Sequence, residues 1–90
     1  MRSLLLLALI ATLSACSTTG NRERCGRLLD AAWEDLDLAK AQGFAGSVSY
    51  SKAFGLLTRA KANQAVEDFA ECEDTASRAR FYISESRKGR

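Results

Sequence analysis

The stretch CGRLLDAAWEDLDLA, residues 25–39, decides the fold of this chain. Its apolar residues recur at alternating intervals of four and three, the spacing of one face of an α-helix. These residues are Cys25, Leu29, Ala32, Leu36 and Ala39, flanked by Leu28 and Trp33. Gly43 can end the helix in a left-handed conformation, with Phe44 folding back onto it. We therefore predict a first helix over residues 22–42.

Two further helices follow with the same kind of spacing. Ser47 and Ser49 are candidate N-caps for the second. Its predicted inward residues are Tyr50, Ala53, Phe54, Leu57, Ala60 and Gln64. The third inward face consists of Phe69, Cys72, Ala76, Ala79 and Ile83. We predict the break between them near residues 65–68, although no Gly or Pro marks it, and one long helix is the alternative.

The predicted fold class is all-α, with the three helices packed as an up-down-up bundle. The chain contains no Pro and no alternating apolar pattern, so nothing indicates a strand. Acidic residues crowd the start of the third helix and basic residues its later part, an order that suits the helix dipole.

The N-terminus has the three parts of an export signal. Arg2 supplies a positive charge, residues 4–13 are apolar except for Thr12, and Ser14 and Ala15 are small. A helix of about ten residues spans roughly 15 Å, half of a bilayer core, so we predict no transmembrane helix here.

The sequence Leu13-Ser14-Ala15-Cys16 resembles the lipobox of bacterial lipoprotein signal peptides. The resemblance implies cleavage before Cys16, a diacylglyceryl thioether on its sulfur, and an acyl chain such as palmitate on its new amino group. Two or more chains hold a protein stably on a membrane. Ser17 stands where Asp would resemble an inner-membrane retention signal, which implies the cell outer membrane with the domain facing the periplasm. An ordinary signal peptide that contains a cysteine is the alternative.

These features predict three segments. Residues 1–15 are the signal peptide, residues 16–21 the lipidated N-terminus with a short polar tether, and residues 22–88 the helical domain. Residues 17–21 are small and polar and show no apolar periodicity, which is typical of a tether.

Cys25 and Cys72 are predicted to form a disulfide bond. An even pair of cysteines in an exported domain favours one. In an up-down-up bundle the first and third helices begin at the same end, and each cysteine lies near the start of its helix on the inward face. Free or metal-binding thiols are the alternative.

The residue inventory gives no support for catalysis. The chain contains no His, which excludes Ser-His and Cys-His nucleophiles and His-based metal sites, and no phosphate-binding loop is present. Asp30 and Glu34 lie four residues apart, off the apolar face, and we favour a solvated helix face over an acid/base pair. We predict no enzyme, no catalytic residue, no cofactor, no metal and no small-molecule substrate.

The charge balance and two surface features bear on partners. Thirteen Lys and Arg against eleven Asp and Glu give no support for nucleic-acid binding. The polar face of the third helix can contact anionic lipid headgroups or an acidic partner, with ordinary solubility as the alternative. This face carries Arg78, Arg80, Arg87, Lys88 and Arg90. Phe81 and Tyr82 flank Ile83, so we expect one of the three to be exposed.

A second resemblance covers about residues 25–86. The small and apolar residues that carry it are Ala32, Leu36, Ala39, Gly43, Tyr50, Ala53, Leu57, Ala60, Phe69, Ala76 and Ala79. Their arrangement resembles TPR-like helical hairpins, and more narrowly the small Ala-rich domains of an uncharacterised family of envelope lipoproteins. TPR-like domains bind other proteins through a groove between helices.

The expected function is a non-enzymatic interaction or accessory module. We expect it to hold the membrane through lipid on Cys16 and to contact an envelope protein. The alternatives are an envelope structural protein that contacts peptidoglycan, and an inhibitor or immunity lipoprotein.

Overall fold

The computed structural model describes the backbone of residues 2–90 and the side chains of residues 20–90. Within these limits the chain forms three helices: α1 (Arg2–Ala41), α2 (Val48–Ala65) and α3 (Phe69–Ser86). No strand occurs in this part of the chain. The predicted all-α, three-helix bundle is confirmed.

Helix α1 begins twenty residues earlier than the sequence predicts. It starts at Arg2 rather than near Arg22 and runs without interruption through residues 17–21. Extending a formed helix is far easier than starting one. Ser, Thr and Asn each disfavour it only by tenths of a kcal/mol and Gly20 by about 1 kcal/mol. The predicted helix start is therefore wrong. The predicted cleavage and lipidation at Cys16 lie outside the residues whose side chains are described.

The end of α1 is confirmed in detail. Gly43 has φ 94°, a left-handed conformation that glycine adopts without steric cost. The Phe44 N–H donates to the Ala39 carbonyl at 2.9 Å and the Gly43 N–H to the Lys40 carbonyl at 3.0 Å, the two bonds of a Schellman motif. Phe44 packs half-buried on the core. The chain then turns, and the Ser47 hydroxyl caps α2 by accepting from the Tyr50 N–H at 3.1 Å.

Helices α2 and α3 are separate, and the break lies where it was predicted. Glu67 adopts φ 62° without being glycine. The Asp68 N–H donates to the Asn63 carbonyl at 2.9 Å, and the Glu67 N–H donates to the Gln64 carbonyl at 3.0 Å. Asp68 then caps α3, its carboxylate accepting from the Glu71 N–H at 3.4 Å. One continuous helix is therefore excluded.

The core is built mainly from small residues. Its buried members are Cys25, Leu29, Ala32, Leu36, Ala39, Ala53, Leu57, Ala60, Cys72, Ala76, Ala79 and Ile83. This set contains every predicted inward residue of α1 and all those of α3 except Phe69, which is half-buried. Alanine supplies six of these twelve residues, so much of the core consists of methyl groups rather than of long apolar side chains.

The inward face of α2 differs from the prediction. Its buried residues are Ser49, Ala53, Leu57 and Ala60, and Phe54 is 51% exposed. The Phe54 ring instead meets the Trp33 ring edge-on, with centroids 5.7 Å apart. Phe54 is rotated about 100° around the helix from the buried Ala53, so its ring lies at the edge of the buried face rather than within it.

The disulfide between Cys25 and Cys72 is confirmed. Their Cα atoms lie 5.7 Å apart, and both side chains are fully buried. The bond joins α1 to α3 at the end of the bundle from which α1 leads back toward Cys16. Free or metal-binding thiols are thereby ruled out for this pair in the folded state.

Candidate interaction surface

Two surface grooves flank α3. The α1/α3 groove, of about 320 Å³, is lined by Arg24, Arg27, Leu28, Ala31 and Arg80. Beyond Arg80 it continues into a hollow of about 560 Å³ that Phe81, Arg87 and Lys88 border. The α2/α3 groove, of about 360 Å³, is lined by Ser51, Lys52, Gly55, Leu56, Arg59, Arg78 and Tyr82. The basic residues of α3 are thus divided between two grooves, whereas the sequence placed them on one face.

Most cations of the α1/α3 groove already have partners on the opposite helix. The Arg24 Nε lies 2.8 Å from a carboxylate oxygen of Glu73. The Arg80 guanidinium lies 3.6 Å from the Asp35 carboxylate, on α1. Exposed pairs of this kind contribute little to stability, up to about 1 kcal/mol each. The two ion pairs nevertheless neutralise part of the positive charge along the α1/α3 groove.

The far end of α3 carries another group of paired charges. Glu85 lies 3.3 Å from the Lys88 Nζ and 3.0 Å from the Arg90 guanidinium. Hydrogen bonds from Arg90 and Lys88 lower the pKa of Glu85 below its ordinary value of 4.5. Glu85 therefore stays ionised and engaged with these two cations at neutral pH. Arg87 donates to the Gln42 side-chain oxygen at 3.2 Å, linking α3 to the α1–α2 loop.

The cations of the α2/α3 groove have no such partners. Among the described side chains, no ion pair involves Lys52, Arg59 or Arg78. Lys52 instead places its Nζ 5.3 Å from the centre of the Tyr82 ring, a cation–π contact. Three cations therefore border one groove without an ion pair to any described carboxylate.

The sequence explains this charge separation. Helix α2 contains no acidic residue over its full length of eighteen residues. The acidic residues of α3 lie in its first turns and at Glu85, and none occurs between Thr75 and Ser84. The lack of any carboxylate in α2 is the sequence signal that could have identified Lys52 and Arg59 as cations without an ion pair among the described side chains. The sequence analysis did not single out these two residues as candidates for binding.

The other candidate residues are placed as follows. Ile83 is buried, Tyr82 is half-buried in the α2/α3 groove, and Phe81 is 59% exposed. The expectation that one of the three is exposed is confirmed. Asp30 and Glu34 are both exposed on α1, on the solvated helix face that we favoured.

Among the residues with described side chains, no cluster of His, Cys, Asp or Glu is arranged to hold a metal ion.

No helix in the described part of the chain has an apolar stretch long enough to cross a bilayer.

Comparison with known protein families, curated proteins and solved structures found no match to this chain. The lipobox and TPR-like resemblances accordingly remain predictions from the sequence.

Proposed function

We propose that this chain is a lipid-anchored, non-enzymatic protein-interaction module of the cell outer membrane, facing the periplasm. Cys16 is the acylated residue, and the helical domain is the part that meets an envelope protein. The observation that carries the proposal is the lipobox-like Leu13-Ser14-Ala15-Cys16 placed directly ahead of a disulfide-closed bundle.

A continuous helix connects the predicted anchor to the bundle. Helix α1 is unbroken from the predicted anchor at Cys16 to Ala41. At 1.5 Å per residue, that stretch measures roughly 37 Å, and it supplies one of the three walls of the bundle. The domain would then be joined to the anchor by a continuous helix rather than by a flexible tether.

The grooves beside α3 supply the interaction part of the proposal. TPR-like hairpins, which the chain resembles, bind proteins between helices, and both grooves here are formed between two helices. Exposed Phe81 and half-exposed Tyr82 are aromatic residues of the kind that anchor protein interfaces.

The anchor is tested by metabolic labelling in a Gram-negative host. Cells that express the chain are fed a clickable palmitate analogue with and without globomycin, an inhibitor of lipoprotein signal cleavage. We expect labelling that is lost in Cys16→Ser, and a larger unprocessed form under globomycin. The Cys25→Ser/Cys72→Ser variant is the matched control, because it keeps Cys16 and should still be labelled. Unlabelled wild-type chain of unchanged size would overturn the anchor.

The interaction role is tested by photo-crosslinking in the same cells. A photoreactive residue is placed at Ser51, inside the α2/α3 groove, and at Glu34 on the opposite, solvated face. A discrete crosslinked protein from Ser51 and none from Glu34 is the expected result. If neither site gives a crosslink and the chain co-sediments with purified sacculi, the interaction role is wrong. The chain would then be a structural protein that contacts peptidoglycan.

A further inference from the structure

We propose that the α2/α3 groove binds an acidic segment of a partner protein, with Lys52, Arg59 and Arg78 contacting its carboxylates. This inference rests on the proposed interaction role and names the site and the chemistry of the partner. The chain as a whole is nearly neutral, so the proposal depends on where the charges lie rather than on their sum.

The groove brings together three cations that form no ion pair among the described side chains, although Lys52 also lies against the Tyr82 ring. Elsewhere on the described surface, Arg22, Arg24 and Arg80 each face a carboxylate of another helix or of the α2–α3 turn. Lys52, Arg59 and Arg78 form no ion pair with any described carboxylate. Helix α2 has no acidic residue, and Asp74, four residues before Arg78 on α3, lies beyond ion-pair distance. Carboxylates brought by a partner would form charge-assisted hydrogen bonds there without first displacing an internal ion pair.

The floor of the groove is apolar and open. Gly55 and Leu56 form it on α2, and the Tyr82 ring borders it on α3. A methyl group built on Gly55 would meet no atom within 4 Å, so the fold does not require a glycine at this position. Glycine within a helix costs about 1 kcal/mol relative to alanine. The absence of a side chain at Gly55 leaves space for the backbone or an apolar side chain of a bound segment.

These features favour a peptide over the membrane surface. Lys52 and Tyr82 lie toward the end of the bundle opposite the disulfide, and α1 leads from the disulfide end back to Cys16. Charges in water are screened over about 8 Å at physiological ionic strength, far less than the length of α1 beyond Cys16. A peptide can reach the groove in any orientation of α1, whereas the headgroups can reach it only if α1 lies along the membrane. A concave site with an apolar floor also suits a segment that alternates carboxylates with apolar residues.

The test uses a fluorescent twelve-residue peptide in which Glu alternates with Leu and Phe. The full chain carrying Cys16→Ser, purified with its disulfide intact, is titrated with this peptide at physiological ionic strength. The same peptide with Gln in place of Glu controls for apolar binding. We expect the acidic peptide to bind and the Gln peptide to bind at least about tenfold more weakly, because the charged contacts are lost.

Three variants locate the binding site. Arg59→Gln/Arg78→Gln should weaken binding of the acidic peptide by about tenfold or more. Gly55→Leu keeps every charge but fills the floor, and it should also abolish binding. Arg27→Gln is the matched control, since Arg27 is an exposed arginine of the other groove, and it should leave binding unchanged. Circular dichroism and the absence of free thiols establish that each variant is folded.

Two results would overturn the groove assignment. One is an Arg59→Gln/Arg78→Gln variant that binds the acidic peptide as tightly as Arg27→Gln does. The other is a chain that does not bind the peptide but binds phosphatidylglycerol vesicles through Arg59 and Arg78. In that case phosphatidylcholine vesicles would not bind. Because the titration uses a chain without the lipidated cysteine, failure of the anchor in cells would leave this result unaffected.

Discussion

Cys25 on α1 and Cys72 on α3 are joined at the centre of one end of the bundle, with their Cα atoms 5.7 Å apart and neither side chain exposed. They are 47 positions apart in the sequence, so the bond closes a loop that contains all of α2. The core around it consists largely of alanine, and small domains with limited apolar burial commonly depend on such links.

Removing the disulfide should destabilise the domain strongly. The Cys25→Ala/Cys72→Ala variant is expected to lose roughly 4 kcal/mol of unfolding free energy, because the unfolded chain regains the entropy of an open loop of this length. Urea denaturation followed by circular dichroism measures the loss. Wild-type chain treated with a reductant should approach the variant. Equal urea midpoints for oxidised and reduced wild type would contradict this prediction.

Replacing Glu67, which has a left-handed backbone conformation, by glycine should stabilise the fold. A residue with a side chain pays about 1–2 kcal/mol in this conformation, which glycine does not, although glycine gains entropy in the unfolded chain. We expect Glu67→Gly to raise the unfolding free energy by about 0.5–1 kcal/mol. The substitution also removes the exposed Glu67–Arg22 ion pair, measured at 3.1 Å.

Glu67→Gln is the control for that ion pair, since it removes the charge and keeps the strained backbone. Thermal unfolding of the two variants separates the contributions. A Glu67→Gly protein less stable than Glu67→Gln would show that the turn does not hold a strained conformation at this residue.

Gly55 offers a second stabilising change, at a position inside a helix. Gly55→Ala should raise the unfolding free energy by about 1 kcal/mol, because alanine is the better helix former and its methyl group would enter open space. Chemical denaturation of the variant beside wild type checks this. A destabilised Gly55→Ala protein would mean that packing within the fold requires the glycine, and that the space beside it is not free for a bound segment.

Glu85 should contribute to the acid sensitivity of the fold. Hydrogen bonds from Arg90 and Lys88 lower its pKa in the folded chain, so the unfolded chain takes up the proton first as the pH falls. Its stabilising contribution is therefore complete above the ordinary value of 4.5 and is lost as the pH falls through the lower folded pKa. Glu85→Gln should flatten the stability profile in this window and leave its slope near neutral pH unchanged. An acid limb identical to that of wild type would contradict the prediction.

The sequence predicts the inward faces of α1 and α3 because their apolar residues keep helical spacing over several turns. Cys25, Leu29 and Ala32 are buried as expected for that reason. The disulfide follows from topology, since Cys25 lies where α1 enters the bundle, at the same end at which α3 begins a few residues before Cys72. The end of α1 can also be predicted from Gly43, because few residues other than glycine adopt its left-handed conformation without strain.

The features that the sequence analysis missed depend on how helices meet. The start of α1 is set by the low cost of extending a helix through residues 17–21, which periodicity does not report. Phe54 lies at the edge of the buried face because that face of α2 is centred on Ala53, Leu57 and Ala60, and Phe54 is rotated about 100° from Ala53. The grooves depend on which side chains face each other across helices. Arg24 pairs with Glu73, 49 positions away, while no described carboxylate forms an ion pair with Arg59 or Arg78.

The intact mass of the chain recovered from membranes tests the anchored-module proposal most directly. We expect a mass equal to residues 16–90 plus the diacylglyceryl and acyl groups on Cys16, with two hydrogens missing for the disulfide between Cys25 and Cys72. An unmodified chain that still carries residues 1–15, or one cleaved at another position and free of lipid, would contradict the proposal.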